Sequence, residues 1–375
     1  MKKTILLFAA AVLLSMASIF AQGGTTGPLT WEINDGTLTI SGEGAMPGYS
    51  SVGPPWYNYR DNIHTLIIEN GVTDISYYAF SYFSNLTSVS IANTVLSIEF
   101  YAFTQCTSLP SIVIPNGITK IDEGVFYGCT ALSNFFIPKN VANINAKAFF
   151  ACKNLTSLEV DIENYYYASE NGVLFNKDKT VLSCYPAGKS GAYIIPNNVV
   201  TIGSGAFLFC KKLTSVTIPN SVTNIEVTAF YRCANLKKIT NLNPIPVNIS
   251  GNVFVELNLS EITLEVPMGS VAAYKEANVW KEFNIVGINV GITSPKSLQM
   301  SFYPNPTTGE LRVESGKLRV ENIEIFDIYG KKMSQVSNLT SHISNQINIS
   351  HLPAGVYFVK VYTENGMFVE KVIKN

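Results

Sequence analysis

Few residues in this chain could do chemistry, and their spacing fits none of the familiar reactions. Three histidines occur in 375 residues: His64, His342 and His351. None belongs to an HExxH zinc pair, no GxSxG elbow presents a serine, and no glycine-rich loop is shaped to cradle phosphate. Glycoside hydrolysis needs two carboxylates facing each other across a cleft. The acidic pair Asp122 and Glu123 instead falls on a turn, with no second carboxylate predictably opposite. Six cysteines could form disulfides or hold a metal, but no CxxC pair is present. Five of them (Cys106, Cys129, Cys152, Cys210 and Cys233) stand three residues after a phenylalanine in the same local pattern. A small apolar side chain in a repeated slot predicts a ladder of free, buried thiols. Neither a cofactor nor a metal site is expected, and the chain reads as a binder with no enzymatic activity.

Those cysteines mark a repeat. Phe80, Phe103, Phe126 and Phe149 are spaced 23 residues apart, as are Phe207 and Phe230. Segments 91–113, 114–136, 137–159, 195–217 and 218–240 align, and a less regular copy begins at Ile68 with Phe83 in the cysteine slot. One copy cannot bury its several apolar clusters. Stacked copies can, with their strands paired into a parallel sheet. A period of about 20–29 residues with one short strand per copy predicts a mainly β, leucine-rich-repeat solenoid. Such an array builds extended surfaces, which favours binding.

Within each copy, Leu-x-x-Val-x-Ile should be the strand, with Leu86, Val89 and Ile91, or Leu213, Val216 and Ile218, pointing inward. The outward row is then small and uncharged, with Phe136 as its one large apolar member. A second row follows each repeat phenylalanine: Ser81, Thr104, Tyr127, Phe150, Leu208 and Tyr231. Exposed together, Tyr127, Phe150 and Tyr231 would make an apolar stripe fit for interaction. Packed against loop stems, they would be structural. Both readings stay open at this level.

The period breaks after Val160 and resumes at Ile195, leaving an irregular insert at about 161–194. Residues 171–186 read as a hairpin, with Val173, Leu174 and Phe175 facing Val181 and Leu182. Ahead of it, Tyr165, Tyr166 and Tyr167 form a candidate contact site, since excursions from a solenoid often carry binding. Residues 22–66 are expected to cap the first coil, as an open strand edge would recruit other chains. Within them, 31–42 reads as a hairpin around Asn34, Asp35 and Gly36. Trp56, together with Tyr49, Tyr57 and Tyr59, is a candidate sugar platform there. Residues 67–240 hold the repeats, 241–290 a C-terminal cap with an amphipathic helix at 270–283 N-capped by Ser270, and 291–299 a linker. Residues 300–375, with short strand runs, are expected to form a separate small antiparallel β-sandwich.

Composition restricts the partners. The chain is 47% hydrophobic and 14% charged, with a net charge of −1. That balance argues against nucleic acid or an anionic membrane surface. Residues 1–21 read as a secretory signal: Lys2 and Lys3, an apolar run, then Ala21. An N-terminal membrane anchor is the other reading of that run. No later stretch is apolar enough to span a bilayer, so no transmembrane segment is expected in the mature chain. The Asn85 and Asn154 sequons belong to the repeat and carry no separate function.

Two resemblances sharpen this reading. The order WEI, DGTLTISG, GAMP and PW, followed by repeated IPN-V-I-AF-C-LTSV over about residues 31–285, resembles the BspA-like leucine-rich-repeat family. This implies an exported bacterial surface protein, with adhesins that bind host matrix proteins or other microbes among its members. At the other end, YPNP (303–306), FDIYGKK, LPAGVYFVKV (352–361) and the basic KVIKN resemble the C-terminal sorting domain of type IX secretion. Pro304, Asn305, Pro306, Gly330, Gly355, Tyr357, Lys371 and Lys374 carry that likeness. It implies recognition by outer-membrane secretion machinery, then release or attachment to the cell surface. The expected function is adhesin-like recognition of an extracellular protein or glycan. A self-associating component of the outer surface or extracellular matrix is the alternative.

Overall fold

A computed structural model of the chain describes residues 22–49, 53–289, 300–314, 320–328, 330–337, 344–363 and 366–375. The signal peptide expected at 1–21, the linker expected at 291–299 and His342 lie outside these residues. Two compact units divide between Ile288 and Asn289.

The first unit opens with strands Leu29–Asn34 and Thr37–Gly42, paired as a hairpin. Asp35 and Gly36 take φ of 46° and 71°, the double positive φ that lets a two-residue turn match the twist of its strands. A further strand, Gln22–Thr26, pairs outside the hairpin and was not anticipated from the sequence. On the other side, Thr37–Gly42 runs parallel to Thr65–Ile68, and that strand to Ser88–Ile91. The hairpin therefore covers the sheet edge of the first coil.

The coils stack through three repeated devices. Repeat phenylalanines lie ring over ring, with centroids 5.4 Å apart for Phe80–Phe103, 6.1 Å for Phe103–Phe126 and 5.7 Å for Phe126–Phe149. Backbone N–H groups bridge the turn edge, Phe103 to the Val125 carbonyl and Phe126 to the Ala148 carbonyl, each at 3.0 Å. The cysteines do form a ladder. Cys129 Sγ donates to the Phe103 carbonyl at 3.1 Å and Cys152 Sγ to the Phe126 carbonyl at 3.0 Å. Each thiol fills a small slot while supplying a donor to a carbonyl of the preceding coil. All six cysteines are free, and burial pushes the Cys233 thiol up to about 12. The sequon amides of Asn85 and Asn154 are used the same way, donating to the Asp61 and Thr130 carbonyls.

Two expectations require correction. Residues 111–113 form no strand, although the neighbouring coils contribute Ser88–Ile91 and Asn134–Ile137. In the regular coils the residue after the inward leucine starts the ladder: Thr87 N–H donates to the His64 carbonyl and Thr156 N–H to the Ser133 carbonyl. Here that residue is Pro110, which has no N–H to give. The helix expected at 270–283 spans only Val271–Glu276. Ser270 does not cap it; its hydroxyl donates to the Pro244 carbonyl at 2.7 Å. Ala277 turns extended and Val279 adopts φ 67°, which brings Trp280 back under the last coil against Tyr274 and Phe254. Burial of that indole outweighs helix continuation.

The insert forms an antiparallel meander of Tyr167–Glu170, Val173–Asn176 and Val181–Cys184, with Phe175 facing Leu182. Its last strand rejoins the coils in parallel, pairing with Thr201–Ile202. A second parallel run, Gly191–Ile194, Leu213–Ile218, Lys238–Asn241, Thr263–Pro267 and Asn284–Ile288, completes the unit. The solenoid core accordingly divides into two buried clusters that meet near Val173 and Leu174.

The second unit is a small antiparallel sandwich. One sheet holds Ser301–Tyr303, Glu310–Glu314 and Ser344–Asn348. The other holds Val320–Phe326, Lys332–Ser337, Gly355–Thr363 and Gly366–Lys374. Leu311, Val313, Ile323, Ile325, Val359 and Val361 fill the space between them.

Candidate binding site

The site arises from a coil that is too short. In regular coils the inward phenylalanine stands five positions after the inward isoleucine, as from Ile121 to Phe126, Ile144 to Phe149 and Ile202 to Phe207. In the insert's closing coil Leu182 pairs beside Ile202, yet the residue that occupies the phenylalanine position is Tyr185, three residues on. Its N–H donates to the Ala206 carbonyl at 2.7 Å, as Phe207 N–H donates to the Ala229 carbonyl at 2.8 Å. Gly188 follows in the same turn, its N–H donating to the Leu155 carbonyl at 2.7 Å, and an added Cβ there would lie 2.5 Å from the Asn154 backbone. The short turn is itself buried, and the full turns on either side close over it. Phe150 meets Phe209 across the junction, ring centroids 4.3 Å apart.

Between those full turns lies a cavity of about 680 Å³. Tyr101, Glu123, Tyr127, Lys147 and Phe150 line one side, and Ser204, Leu208, Thr228 and Tyr231 the other. Tyr127 stacks on Phe150 at 5.0 Å. Glu123 accepts hydrogen bonds from Lys147 Nζ at 3.1 Å and from the Tyr101 hydroxyl at 3.0 Å. Lys147, then Tyr101, hold the Glu123 carboxyl below the ordinary carboxylate range. Desolvation first, then Glu123, pushes the Tyr101 phenol up. At the rim Arg232 grips Glu256 with both Nε and an Nη, at 2.6 and 2.8 Å, and the Tyr231 hydroxyl joins the same carboxylate.

The sequence-expected residues divide among several places. Tyr127, Phe150 and Tyr231 come together in this cavity, whereas Ser81 and Thr104 of the same row are buried. Phe136 sits apart on the strand face, 46% exposed, beside Val113. Tyr165 and Tyr166 are exposed on the insert, and Tyr167 is half-buried with its hydroxyl accepting from the Ile144 N–H. Trp56 requires correction as a contact residue. It is 0% exposed, stacks on Phe80 at 5.8 Å and donates through Nε1 to the Ala79 carbonyl. Its ring extends the phenylalanine stack into the cap, leaving no face for a sugar. Tyr101, Glu123 and Lys147 were missed by sequence reasoning. The available signal was the short Leu182-to-Tyr185 spacing, which marks where full turns must project past a missing one.

Among the described residues, no group of three or more His, Cys, Asp or Glu side chains could hold a metal ion. No helix among them is long and apolar enough to cross a membrane.

In the second unit, Asn305, between Pro304 and Pro306, donates to the Lys371 carbonyl at 2.7 Å and accepts from the Ile373 N–H at 2.9 Å. The motif thereby fastens onto the last strand. Gly330 takes φ 80° in the turn before Lys332–Ser337, and Gly355 opens the long strand to Thr363. The Tyr357 hydroxyl donates to the Pro353 carbonyl at 2.8 Å. Lys371 is exposed, whereas Lys374 is buried.

This architecture defines a leucine-rich-repeat solenoid carrying a sandwich tail. Residues 50–171 and 186–300 match the BspA type leucine-rich repeat region, in six copies, and the chain belongs to that family. Residues 301–375 match the secretion system C-terminal sorting domain of type IX export. Among solved structures, a leucine-rich repeat protein from Eubacterium ventriosum is similar at 25% identity and a TM-score of 0.50, covering 74% of this chain and 93% of its own. A leucine-rich cell surface protein from Faecalibacterium prausnitzii matches at 20% identity and TM-score 0.39, over 72% of this chain and 95% of its own. No match was found among curated proteins. The sorting tail marks the chain for export, to be attached at the cell surface or secreted.

Proposed function

We propose that this exported surface protein is an adhesin-like receptor that recognises an extracellular protein or glycan at the cavity beside the short coil. The convergence of Tyr127, Phe150 and Tyr231 from three separate coils, around the Glu123–Lys147 pair, carries this reading. A concave, aromatic-lined cavity with a few fixed polar groups is the usual form of a ligand site. Binding is favoured over catalysis because Glu123 is the one carboxylate among the lining residues and is tied to Lys147. The sorting unit would engage the outer-membrane secretion machinery before the solenoid reaches its ligand. Self-association in an extracellular matrix is the second reading, supported by Ile162 and Tyr165, which are 91% and 84% exposed on the insert. Screening the full chain against immobilised matrix proteins and polysaccharides, with its mass in solution followed alongside, separates the two. Saturable binding by the monomer, weakened by Tyr127→Ala, is expected. Concentration-dependent assembly without a foreign ligand would favour the matrix reading.

A further inference from the structure

The cavity's own chemistry narrows the class of ligand, on the premise that it is a recognition site. Its charges come in closed pairs, Glu123 with Lys147 at 3.1 Å inside and Arg232 with Glu256 at 2.6 Å on the rim. A charged ligand would have to break one of these pairs or sit in the cavity without a partner, and both are unfavourable. Its walls offer ring surface from Tyr127, Phe150 and Tyr231. The polar groups it presents are neutral: the Asn145 carboxamide, the Ser204 hydroxyl and the Tyr127 hydroxyl, which makes no hydrogen bond to any other described residue. At about 680 Å³ the cavity has the volume of a small-ligand pocket. It is too confined for the roughly 800 Å² that a folded partner typically covers.

We propose that the cavity binds a neutral oligosaccharide. Apolar C–H faces of the sugar rings lie on Tyr127, Phe150 and Tyr231. Sugar hydroxyls exchange hydrogen bonds with Tyr127, Asn145 and Ser204. Glycine at position 124 is part of the site: its φ is 66°, and a Cβ there would lie 2.2 Å from Tyr101 Cε1. The Tyr101 ring fills that space and carries its hydroxyl to Glu123, so this edge of the cavity is built before any ligand arrives.

The test is calorimetric titration of the full chain with neutral gluco-, manno-, xylo- and galacto-oligosaccharides, and in parallel with sialyllactose, heparin oligosaccharides and denatured collagen. At least one neutral oligosaccharide is expected to bind saturably, with an affinity little changed between about 50 and 500 mM salt. Tyr127→Ala should weaken it by about tenfold or more. The exposed Asn145→Ala variant, which leaves the packed rings alone, should weaken it by a smaller factor, and Phe136→Ser should leave it unchanged. Binding confined to the anionic sugars, or no sugar binding at all, would overturn the assignment. Collagen binding that Tyr127→Ala abolishes, without any sugar binding, would overturn the glycan and leave recognition at the cavity standing. Self-assembly with no ligand of any kind would overturn both.

Discussion

The turn edge of coils 68–159 and the junction at Tyr185 are made from the same parts and end in opposite surfaces. Along the regular edge every coil has a five-residue step from isoleucine to phenylalanine, and backbone hydrogen bonds join each turn to the next. Ser81 and Thr104, one position after the repeat phenylalanines, are buried there. At the junction one coil has a three-residue step, and the full turns beside it project past it and leave a cavity between them. There Tyr127, Phe150 and Tyr231 keep part of their surface. In a one-dimensional stack, where each coil touches only its neighbours, regularity makes the scaffold and a local omission makes the cavity.

The largest effect should come from breaking the regular side. Phe126→Ala removes a ring stacked between Phe103 and Phe149 and should cost about 3–5 kcal/mol in chemical denaturation. Phe150→Ala removes a half-buried ring, so its loss of stability should be visibly smaller while its loss of ligand binding is larger. Next is Gly124→Ala. Its new methyl group displaces the Tyr101 ring, and overpacking of this kind costs about 1–3 kcal/mol. Ligand affinity should fall with it, because the displaced ring lines the cavity.

The thiol ladder offers a third way to sharpen the comparison. Burial pushes Cys184 and Cys233 up to about 12, and Cys106, Cys152 and Cys210 up as well. The native chain should therefore resist alkylation at neutral pH, and all six cysteines should react once it is unfolded. These thiols stay neutral in the fold while those of the unfolded chain ionise near pH 8.5. Their contribution to stability is thus complete below that pH and is lost as pH rises toward 12. A melting temperature that stays flat from pH 8 to 11 would contradict this. The smallest effect belongs to Glu123, whose carboxyl is held low by Lys147 and Tyr101. Its contribution is present above the ordinary carboxylate pKa near 4.3 and fades as pH falls through the depressed value. Because the pair is partly exposed, Lys147→Met should shift stability at neutral pH by no more than about 1 kcal/mol.

Much of the scaffold could be read in the sequence because it depends on periodicity. The phenylalanine spacing gave the coils, the cysteine slot gave the buried thiols, and Asp35-Gly36 gave the hairpin turn. What escaped notice depends on contacts that periodicity does not encode. Pro110 silences one strand through a missing N–H group, and Trp280 ends a helix because its indole fits under the final coil. Trp56 resembled a platform in sequence, as an aromatic near prolines and tyrosines, yet it packs on Phe80 because the first ring of the stack needs a cover. Of the site, Tyr127, Phe150 and Tyr231 were visible as a row. Their convergence, and the part played by Glu123 and Lys147, follow from the two residues missing between Leu182 and Tyr185.

Hydrogen–deuterium exchange of the full chain, with and without its strongest binder, tests most directly whether the short coil makes the recognition site. Slowed exchange confined to the turns at 123–128, 145–151, 204–209 and 228–232 is the predicted result. Protection instead along Asn134–Ile137 around Phe136, or on the insert loop at 162–166, with these turns unchanged, would contradict the account.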